Sequence, residues 1–333
     1  MKNDIKGFLC EHTNQAVQQS FWRHRKREIT PPTGNGVIFL GTGGNPEATF
    51  TQQPQTAGFI IAAGGVRIYV DPGPGAVVRA QQMNLDLGML DAVYISHGHL
   101  DHYGGAEGVV EAMCWAMYAR RGHLLAPHNV LDGEGIISYY HQGFAAYAGY
   151  RGGPQVIRLQ AQQPITLKDV RLTPIKVYHS DENFGFILDT GQLTIGYTSD
   201  TNYVRKYSTP EGLVEVGKGP HKGPVMDLLD IVEYRCDIKE AFSAVDVLIA
   251  NVTTHNAWLH RHITTLGLAH LLQGSHVKLC FITHFNHVCV EPVDLRGLMA
   301  QYIEETTGVK TLAAYDGAVH DLDRLLECMG CPK

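Results

Sequence analysis

The sequence lacks any uninterrupted apolar run of the roughly 20 residues that a membrane-spanning helix requires. Its first residues, MKNDIKGFLCEHTNQ, also lack the apolar stretch of a secretory signal peptide. Basic residues are not in excess, since 27 Lys and Arg stand against 33 Asp and Glu, which gives a formal net charge of −6. These absences argue against a membrane protein and against a general nucleic-acid-binding surface, although a local basic patch is compatible with them. We expect a cytoplasmic protein.

Cysteine is scarce and scattered, with 7 residues in 333. An odd number at irregular spacing fits reduced thiols better than a disulfide framework. Cys328 and Cys331 have the spacing of half a zinc or redox site, but no second pair accompanies them. We expect these two thiols to be incidental.

Secondary-structure patterns in both halves of the chain predict strands followed by helices. Short β-type runs such as GVIFLG (36–41) and LDAVYIS (90–96) alternate with glycine-rich turns, and residues 106–121 predict a helix. No fixed repeat or low-complexity linker is present. This order favours two sheets packed between outer helices over a single parallel sheet.

The predicted domain covers residues 34–322, between an N-terminal extension (1–33) and a C-terminal tail (323–333). Two segments within it have the character of insertions, one at about 134–163, rich in Tyr and Gly, and one at 203–241, which contains KGPHKGP. Long excursions of this kind often form lids or partner contacts, and surface decoration is the equal alternative.

The residues with the clearest chemistry lie in SHGHLDHYGG (96–105), directly after an apolar run. His97 and His99 alternate with small or apolar residues, so both side chains can face one point at the rim of a sheet. Asp101 and His102 follow at once. A divalent ion takes three or four nitrogen and oxygen ligands, so four donors this close together can begin two adjacent metal sites. The alternative is a polar loop with hydrogen-bonded histidines, and the density of donors favours the metal site.

Three further candidate ligands stand at the ends of later apolar runs, namely His179 after PIKVY, Asp200 after IGYTS and His284 after LCFIT. Each alone is weak support, because a strand-end histidine more often caps a neighbouring element than binds a metal. Their recurrence at successive strand ends predicts that they complete the sites. Asp71, in YVDPGPG, is a fourth residue of this kind and is suited to orient a ligand.

This pattern resembles the metallo-β-lactamase fold superfamily over roughly residues 36–320. The resemblance implies an α/β fold of the αββα type, in which two mixed β-sheets lie between outer helices and the site lies at one rim. It also implies two divalent ions, zinc first, with manganese or iron as alternatives because His/Asp sets accept each of them. The implied ligands are His97, His99 and His179 for one metal and Asp101, His102 and His284 for the other, with Asp200 bridging both.

Further features resemble the tRNase Z-like, phosphodiesterase branch of that superfamily. A zinc β-lactamase usually has a cysteine at the bridging position, so Asp200 argues against antibiotic hydrolysis. The stretches FLGTGGNP (39–46), LHRHITTLGLAHLL (259–272) and AAYDGAVHDL (313–322) each resemble an element of tRNase Z and its relatives. By the second of these, His262 would be the histidine on the substrate side. Thr264 or Thr265 could cap the helix that follows, and the N-terminus of that helix would attract an anion.

The departures from tRNase Z bear on the substrate. Asn251 aligns with the Glu that partners the substrate-side histidine, and His255 or His260 is a candidate to compensate; His287 is a further candidate substrate contact. His179 and Asp200 are only 21 positions apart, which leaves no room for the tRNA-gripping arm inserted there. With the acidic net charge, this argues against pre-tRNA and favours a small-molecule or nucleotide substrate.

The leading hypothesis is a dinuclear metal-dependent hydrolase in which a metal-bridging hydroxide attacks a small or nucleotide-type phosphodiester. Asp101 would steer the hydroxide, and a protonated His262 would assist the leaving group. The alternative is a lactonase or other acyl-ester hydrolase, with aromatics of ISYYHQGFAAYAGY (137–150) around an apolar pocket. A metal-binding sensor without turnover is least favoured, because no ligand is missing. A homodimer is one expectation for the assembly.

Overall fold

The computed structural model describes residues 4–23, 34–133, 135–144, 152–216, 227–256 and 261–330. In these ranges the strands are β1 (Gly36–Phe39), β2 (Phe59–Ala63), β3 (Val66–Val70), β4 (Ala92–Tyr94), β5 (Arg120–Ala126), β6 (Gly153–Arg158), β7 (Ile165–Leu167), β8 (Val170–Lys176), β9 (Phe184–Asp189), β10 (Thr194–Tyr197), β11 (Val204–Thr209), β12 (Gly212–Glu215), β13 (Ile231–Tyr234), β14 (Val247–Thr254), β15 (Ile263–Thr264), β16 (Leu279–Thr283), β17 (Lys310–Ala313) and β18 (Val319–Asp321). The helices are α1 (Asp4–Arg23), α2 (Asn45–Thr51), α3 (Ala76–Gln82), α4 (Leu100–Tyr103), α5 (Ala106–Met113), α6 (Cys236–Phe242), α7 (Thr265–Leu272), α8 (Arg296–Thr307) and α9 (Leu322–Cys328).

Two large mixed sheets form the centre of the fold. The first has seven strands in the order β18-β1-β2-β3-β4-β5-β6, and the second has eight in the order β17-β16-β14-β10-β9-β8-β7, with β15 paired to β14. In the first sheet β3, β4, β5 and β6 are parallel neighbours; in the second, β10, β14, β16 and β17 are. The carboxyl ends of parallel strands meet at one edge, which is where open α/β sheets present their ligand sites.

Apolar side chains from the inner faces of both sheets form one core layer, in which Phe39, Phe186 and Phe281 are fully buried. A second layer lies between the first sheet and α3 and α5, and a third lies between the second sheet and α6, α7 and α8. Every residue of β14, VLIANVTT, is buried, as expected for a strand covered on both faces. The predicted αββα sandwich is confirmed.

The helix predicted over residues 106–121 is too long. Helix α5 ends at Met113, because Trp115, Ala116 and Met117 all have positive φ, a conformation that a right-handed helix cannot continue through. The chain then enters β5, whose last residues are buried between β4 and β6. The prediction of a helix to residue 121 was therefore wrong, because it included a turn and the first residues of β5.

The predicted insertions and termini have structure of their own. Within the second predicted insertion, β11, β12 and β13 form a small sheet in the order β12-β11-β13, and residues 217–226 lie outside the described ranges. Within the first, residues 153–158 form β6 at the edge of the first large sheet. Most of the predicted C-terminal tail is helix α9, which begins with the buried Leu322 and contacts β1 and β18. Residues 4–19 of α1 are exposed. Within the described ranges, no helix is both long and apolar enough to cross a membrane.

Candidate metal centre

The predicted ligands meet at one rim of the sandwich. Asp71 directly follows β3, and His97 follows β4, its parallel neighbour in the first sheet. Asp200 and His284 follow β10 and β16 at the same end of the second sheet. His179 lies in the loop after β8, which is antiparallel to β9 and therefore runs in the direction of β10. The topology thus explains why residues far apart in sequence share one site.

The first group of side chains consists of three histidines and one aspartate. The Nδ1 atom of His99 lies 2.9 Å from Nε2 of His97 and 3.0 Å from Nε2 of His179. Asp200 Oδ2 is 3.9 Å from His97 Nε2 and 3.6 Å from His179 Nε2. The four ligand atoms lie within 4.8 Å of one another. A neutral imidazole offers one ring nitrogen lone pair, so three ring nitrogens converging beside a carboxylate form a donor set that suits a divalent cation.

The second group consists of Asp101, His102 and His284, again with ligand atoms within 4.8 Å of one another. The Nε2 atoms of the two histidines are 3.1 Å apart, and Asp101 Oδ2 lies 3.6 Å from that of His102 and 3.4 Å from that of His284. Asp200 also reaches this group, because its Oδ2 is 3.3 Å from His102 Nε2 and its Oδ1 is 3.2 Å from His284 Nε2. One carboxylate therefore faces both groups.

In three of the cluster histidines, the ring nitrogen that faces away from the cluster has the following hydrogen-bond partner. His102 Nδ1 donates to Asp71 at 2.8 Å, and His179 Nδ1 donates to the carbonyl oxygen of Arg261 at 2.9 Å. The Nδ1 atom of His97 lies 3.0 Å from the Ser96 hydroxyl. A hydrogen bond at Nδ1 fixes the ring and leaves Nε2 free as a ligand, which is the usual arrangement around metal-binding histidines. The cluster thus fits a divalent metal.

Asp71 is the buried acceptor that organises this rim, as its predicted orienting role requires. Besides His102, it accepts hydrogen bonds from the Ser96 backbone N–H at 2.7 Å, the Ser96 hydroxyl at 2.7 Å and the Tyr197 hydroxyl at 2.6 Å. Burial and the adjacent Asp71 carboxylate raise the pKa of Tyr197, so its phenol stays protonated and donates.

The surroundings shift the pKa values of two cluster histidines in opposite directions. Burial lowers the pKa of His97 well below its usual value, and His102 adds to the effect. Burial also opposes the charged form of His102, but Asp200, Asp101 and Asp71 outweigh it and raise its pKa well above the usual value. For Asp101 and Asp200, burial would raise the pKa, yet the neighbouring histidines prevail and lower it. The carboxylates that surround His102 therefore favour its charged form.

The glycine-rich loop of FLGTGGNP lies against the second group. A Cβ added at Gly44 would overlap the His284 ring, so only glycine allows this close approach. The next residue, Asn45, has φ 82° and donates its backbone N–H to Asp101 Oδ2 at 2.8 Å. Asp316, in the predicted Asp-Gly element, accepts hydrogen bonds from Thr42 in the same loop. Two stretches noted in the sequence therefore support the cluster.

His262 lies beside the cluster, with its Nδ1 3.6 Å from Asp200 Oδ2. Its ring centroid is 4.5 Å from that of His179 and 5.5 Å from that of His284. The Nδ1 atom is buried without a hydrogen-bond partner among the described residues. Burial lowers the pKa of His262 to about 3. The residue therefore lies beside the cluster with a lowered pKa, and its role toward a substrate stays a prediction.

The other predicted substrate contacts are more dispersed. Thr264 caps α7, where its hydroxyl accepts from the Gly267 backbone N–H at 3.0 Å. The His255 ring contacts Tyr302 of α8, and His287 lies at the rim with its Nδ1 3.2 Å from the carbonyl oxygen of Gln53. His260 lies outside the described residues. Neither His255 nor His287 belongs to the groups with metal-ligand spacing.

Asn251 contacts Asp200. Its side-chain nitrogen lies 2.8 Å from Asp200 Oδ1 and 3.1 Å from the Tyr197 hydroxyl. The sequence indicates Asn251 only as a replacement for the expected partner of His262, and it gives no indication of a role for Tyr197. The available signal was a lone amide in the middle of the apolar run DVLIANV, because a buried amide requires hydrogen-bond partners.

An αββα sandwich with a His/Asp cluster of metal-ligand geometry at its rim defines a metal-binding protein of the metallo-β-lactamase fold class. The family described as Beta-lactamase superfamily domain matches residues 66–213. An uncharacterized protein of Methanocaldococcus jannaschii is 30% identical over 284 residues, which cover 84% of this chain and 91% of that protein. The chain belongs to the metallo-β-lactamase superfamily, whose members are metal-dependent hydrolases.

Two further similarities agree with this family. Ribonuclease Z of Sulfolobus acidocaldarius is 25% identical over 274 residues, which cover 75% of this chain and 87% of that enzyme. The metallo-β-lactamase fold protein YhfI from Bacillus subtilis superimposes with a TM-score of 0.60 at 16% identity, covering 86% of this chain and 98% of that one. The predicted superfamily and its tRNase Z-like branch are confirmed.

Proposed function

We propose that the protein is a dinuclear metal-dependent phosphodiesterase that acts on a small or nucleotide-type phosphodiester. The observation that carries the proposal is the position of Asp200, whose carboxylate oxygens reach His97 and His179 on one side and His102 and His284 on the other. A carboxylate shared between two donor groups is suited to two-metal hydrolysis.

Zinc is the first candidate metal, and manganese or iron is the alternative, because nitrogen and carboxylate donors accept all three. His97, His99 and His179 would hold one ion, Asp101, His102 and His284 would hold the other, and Asp200 would be common to both. When bound, such ions supply positive charge that activates water and stabilises negative charge on substrate oxygens. The ligand assignment is tested by variants of single histidines.

Asp101 and His262 are the proposed catalytic side chains. Asp101 Oδ2 is held by the Asn45 backbone N–H, so the carboxylate has a fixed orientation from which it can accept a proton from water. His262 faces the cluster with an unpartnered Nδ1. Because burial keeps its imidazole neutral, the protonated form that a general acid needs must be favoured by the negative charge of a bound phosphodiester.

A phosphodiester is favoured by the relationship to ribonuclease Z and by the N-terminus of α7 next to His262. Pre-tRNA is not the expected substrate. The chain between His179 and Asp200 consists of β9, β10 and their short connections, so this region contains no arm that could grip a tRNA.

A lactone or other acyl ester is the second candidate substrate, and exposed apolar side chains support it. Leu100, between His99 and Asp101, is 49% exposed, and Tyr139 and Phe144 of the predicted aromatic segment are 70% and 62% exposed. Residues 145–150 of that segment lie outside the described ranges. An apolar substrate group would cover such surface.

The test is metal analysis of the purified protein, followed by parallel assays on bis-p-nitrophenyl phosphate, cyclic nucleotides and a lactone. We expect bound metal, diester hydrolysis and a loss of about 1,000-fold or more in His97→Ala, since metal catalysis supplies several kcal/mol. His276→Ala, at an exposed histidine outside the cluster, is the matched control. Preference for the lactone would select the second candidate, metal without turnover would indicate a sensor, and absence of metal would refute both enzyme hypotheses.

A further inference from the structure

A continuous chain of hydrogen bonds runs behind the proposed ligands and joins two carboxylates. Tyr197, the last residue of β10, donates its hydroxyl hydrogen to Asp71 Oδ2 at 2.6 Å. The same hydroxyl accepts a hydrogen from the Asn251 amide at 3.1 Å, and that amide lies 2.8 Å from Asp200 Oδ1. The chain therefore connects Asp71, which orients His102, with Asp200, which faces both groups.

The direction of each hydrogen bond follows from the chemistry of the groups. A phenol has one hydrogen, which Tyr197 gives to the Asp71 carboxylate, so its oxygen is left to accept. A primary amide has two hydrogens on its nitrogen, and Asn251 directs one to Tyr197 and the other to Asp200. Every donor meets an acceptor. Glutamate at position 251 would lack both hydrogens and would set a second negative charge against Asp200.

Solvent cannot replace these contacts, because Tyr197 is 1% exposed and Asn251 is 2% exposed. Both side chains line a small cavity together with Asp71, His102 and His284. Leaving a buried donor or acceptor without its partner costs about 1–3 kcal/mol. This series of hydrogen bonds therefore has one favourable arrangement. This rigidity bears directly on Asp200, since the amide holds Oδ1, which also lies near His284, while Oδ2 faces three other histidines of the cluster.

We propose that Asn251 and Tyr197 are positioning residues that fix the Asp200 carboxylate between the two ligand groups and couple it to Asp71. The inference rests on the proposed function, because it assumes that Asp200 is a metal ligand. Neither residue is among the ligands themselves. Their removal weakens metal binding through the orientation of Asp200, and the two residues act as a unit because Tyr197 links Asn251 to Asp71 by hydrogen bonds.

The experiment compares Asn251→Ala, Tyr197→Phe and the double variant with the unaltered protein. Thr194→Val is the matched control. It removes the Thr194 hydroxyl, which hydrogen-bonds Asp246 at 2.8 Å across the same two strands, but at their opposite ends. Zn²⁺ affinity is measured by competition with a chelator, the visible absorption of the Co²⁺ form reports ligand geometry, and thermal unfolding of the metal-free protein reports stability.

We expect each single variant to bind Zn²⁺ about 10–100-fold more weakly, as for other partners of metal ligands. The double variant should lose little more than the weaker-binding single variant, because broken links of one chain are not additive. Asn251→Ala should also alter the Co²⁺ spectrum. Thr194→Val should lower thermal stability but keep its affinity within about twofold, since it does not touch Asp200.

Unchanged Zn²⁺ affinity and Co²⁺ spectra in both single variants would overturn the inference while leaving the proposed function intact. An equal loss of affinity in Thr194→Val would also overturn it, because destabilisation alone would then explain the effect. If the unaltered protein bound neither ion, the proposed function would fail first and the inference with it. If Asn251→Ala does not fold, Tyr197→Phe, which keeps the ring, carries the test.

Discussion

Replacing Asp71 with asparagine removes the charge from a buried carboxylate while keeping its shape. Asp71 has φ 47°, a left-handed conformation that asparagine tolerates better than other side chains, so the substitution adds little backbone strain. The carboxylate accepts one hydrogen bond at Oδ1, from the Ser96 backbone, and three at Oδ2, from Ser96, His102 and Tyr197. D71N therefore perturbs one acceptor that four donors share.

The expected cost follows from counting these donors. An amide has one acceptor oxygen, and in the Oδ2 position this oxygen keeps three bonds, now without the charge that roughly doubles their strength. The amide nitrogen then faces the Ser96 backbone N–H, which is left unpaired at about 1–3 kcal/mol. We expect the free energy of unfolding of the metal-free protein to fall by about 3–5 kcal/mol, the range for breaking one side of a buried ion pair. Zn²⁺ affinity should fall by about 10–100-fold, because His102 loses its orienting partner.

Urea denaturation of the metal-free protein measures the first quantity, and chelator competition measures the second. Asp86→Asn is the control, since Asp86 is also buried but caps the turn at Gly88, away from the cluster. A change in unfolding free energy below about 1 kcal/mol, together with unaltered affinity, would refute the reasoning, because a carboxylate with four donors cannot lose its charge at so little cost. An equal loss of affinity in the control would refute the specificity of the effect.

Two further predictions concern metal binding. The pKa of His102 is higher in the folded protein than in the unfolded chain. Its charged form therefore stabilises the fold fully at pH values below the pKa of the unfolded chain, and this stabilisation is lost as the pH rises through the pKa of the folded protein. A metal must displace that proton, and apparent Zn²⁺ affinity should therefore rise by up to about tenfold per pH unit around neutrality, measured by titration in several buffers; a flat profile would contradict this. Gly44→Ala should displace the His284 ring and reduce the metal content of the purified protein, whereas Gly297→Ala, where an added Cβ meets nothing closer than 3.7 Å, should not; full metal content in Gly44→Ala would contradict the contact argument.

The proposed ligands could be predicted from the sequence because the ends of strands can be predicted from it. An apolar run that stops at a histidine or aspartate marks both the strand and the residue delivered to its edge, and this signal recurs at His97, His179, Asp200 and His284. All seven predicted ligands lie together in the structure. The layer order of the fold was accessible for the same reason, since alternation of strands and helices restricts the number of arrangements.

Features that depend on packing between distant residues could not be predicted from the sequence. Three consecutive left-handed residues after α5 have no marker in CWAMYARR, which is compatible with helix, so the turn before β5 was missed. The direction in which Asn251 points depends on the pairing of β14 with β10, which brings it beside Tyr197 and Asp200. A strand pattern predicts that a residue is buried, but it does not predict which buried residue it contacts.

The direction of Asn251 also bears on His262, the histidine beside the cluster. An amide that donates to Asp200 supports the ligand set but leaves Nδ1 of His262 without a partner among the described residues. Burial lowers the pKa of His262, and the nearby Asp200 and Asp101 carboxylates raise it too little to offset burial. The additional negative charge of a bound phosphodiester would favour the protonated form. The arrangement therefore favours an anionic substrate, for which the phosphodiester is the better candidate than an uncharged lactone.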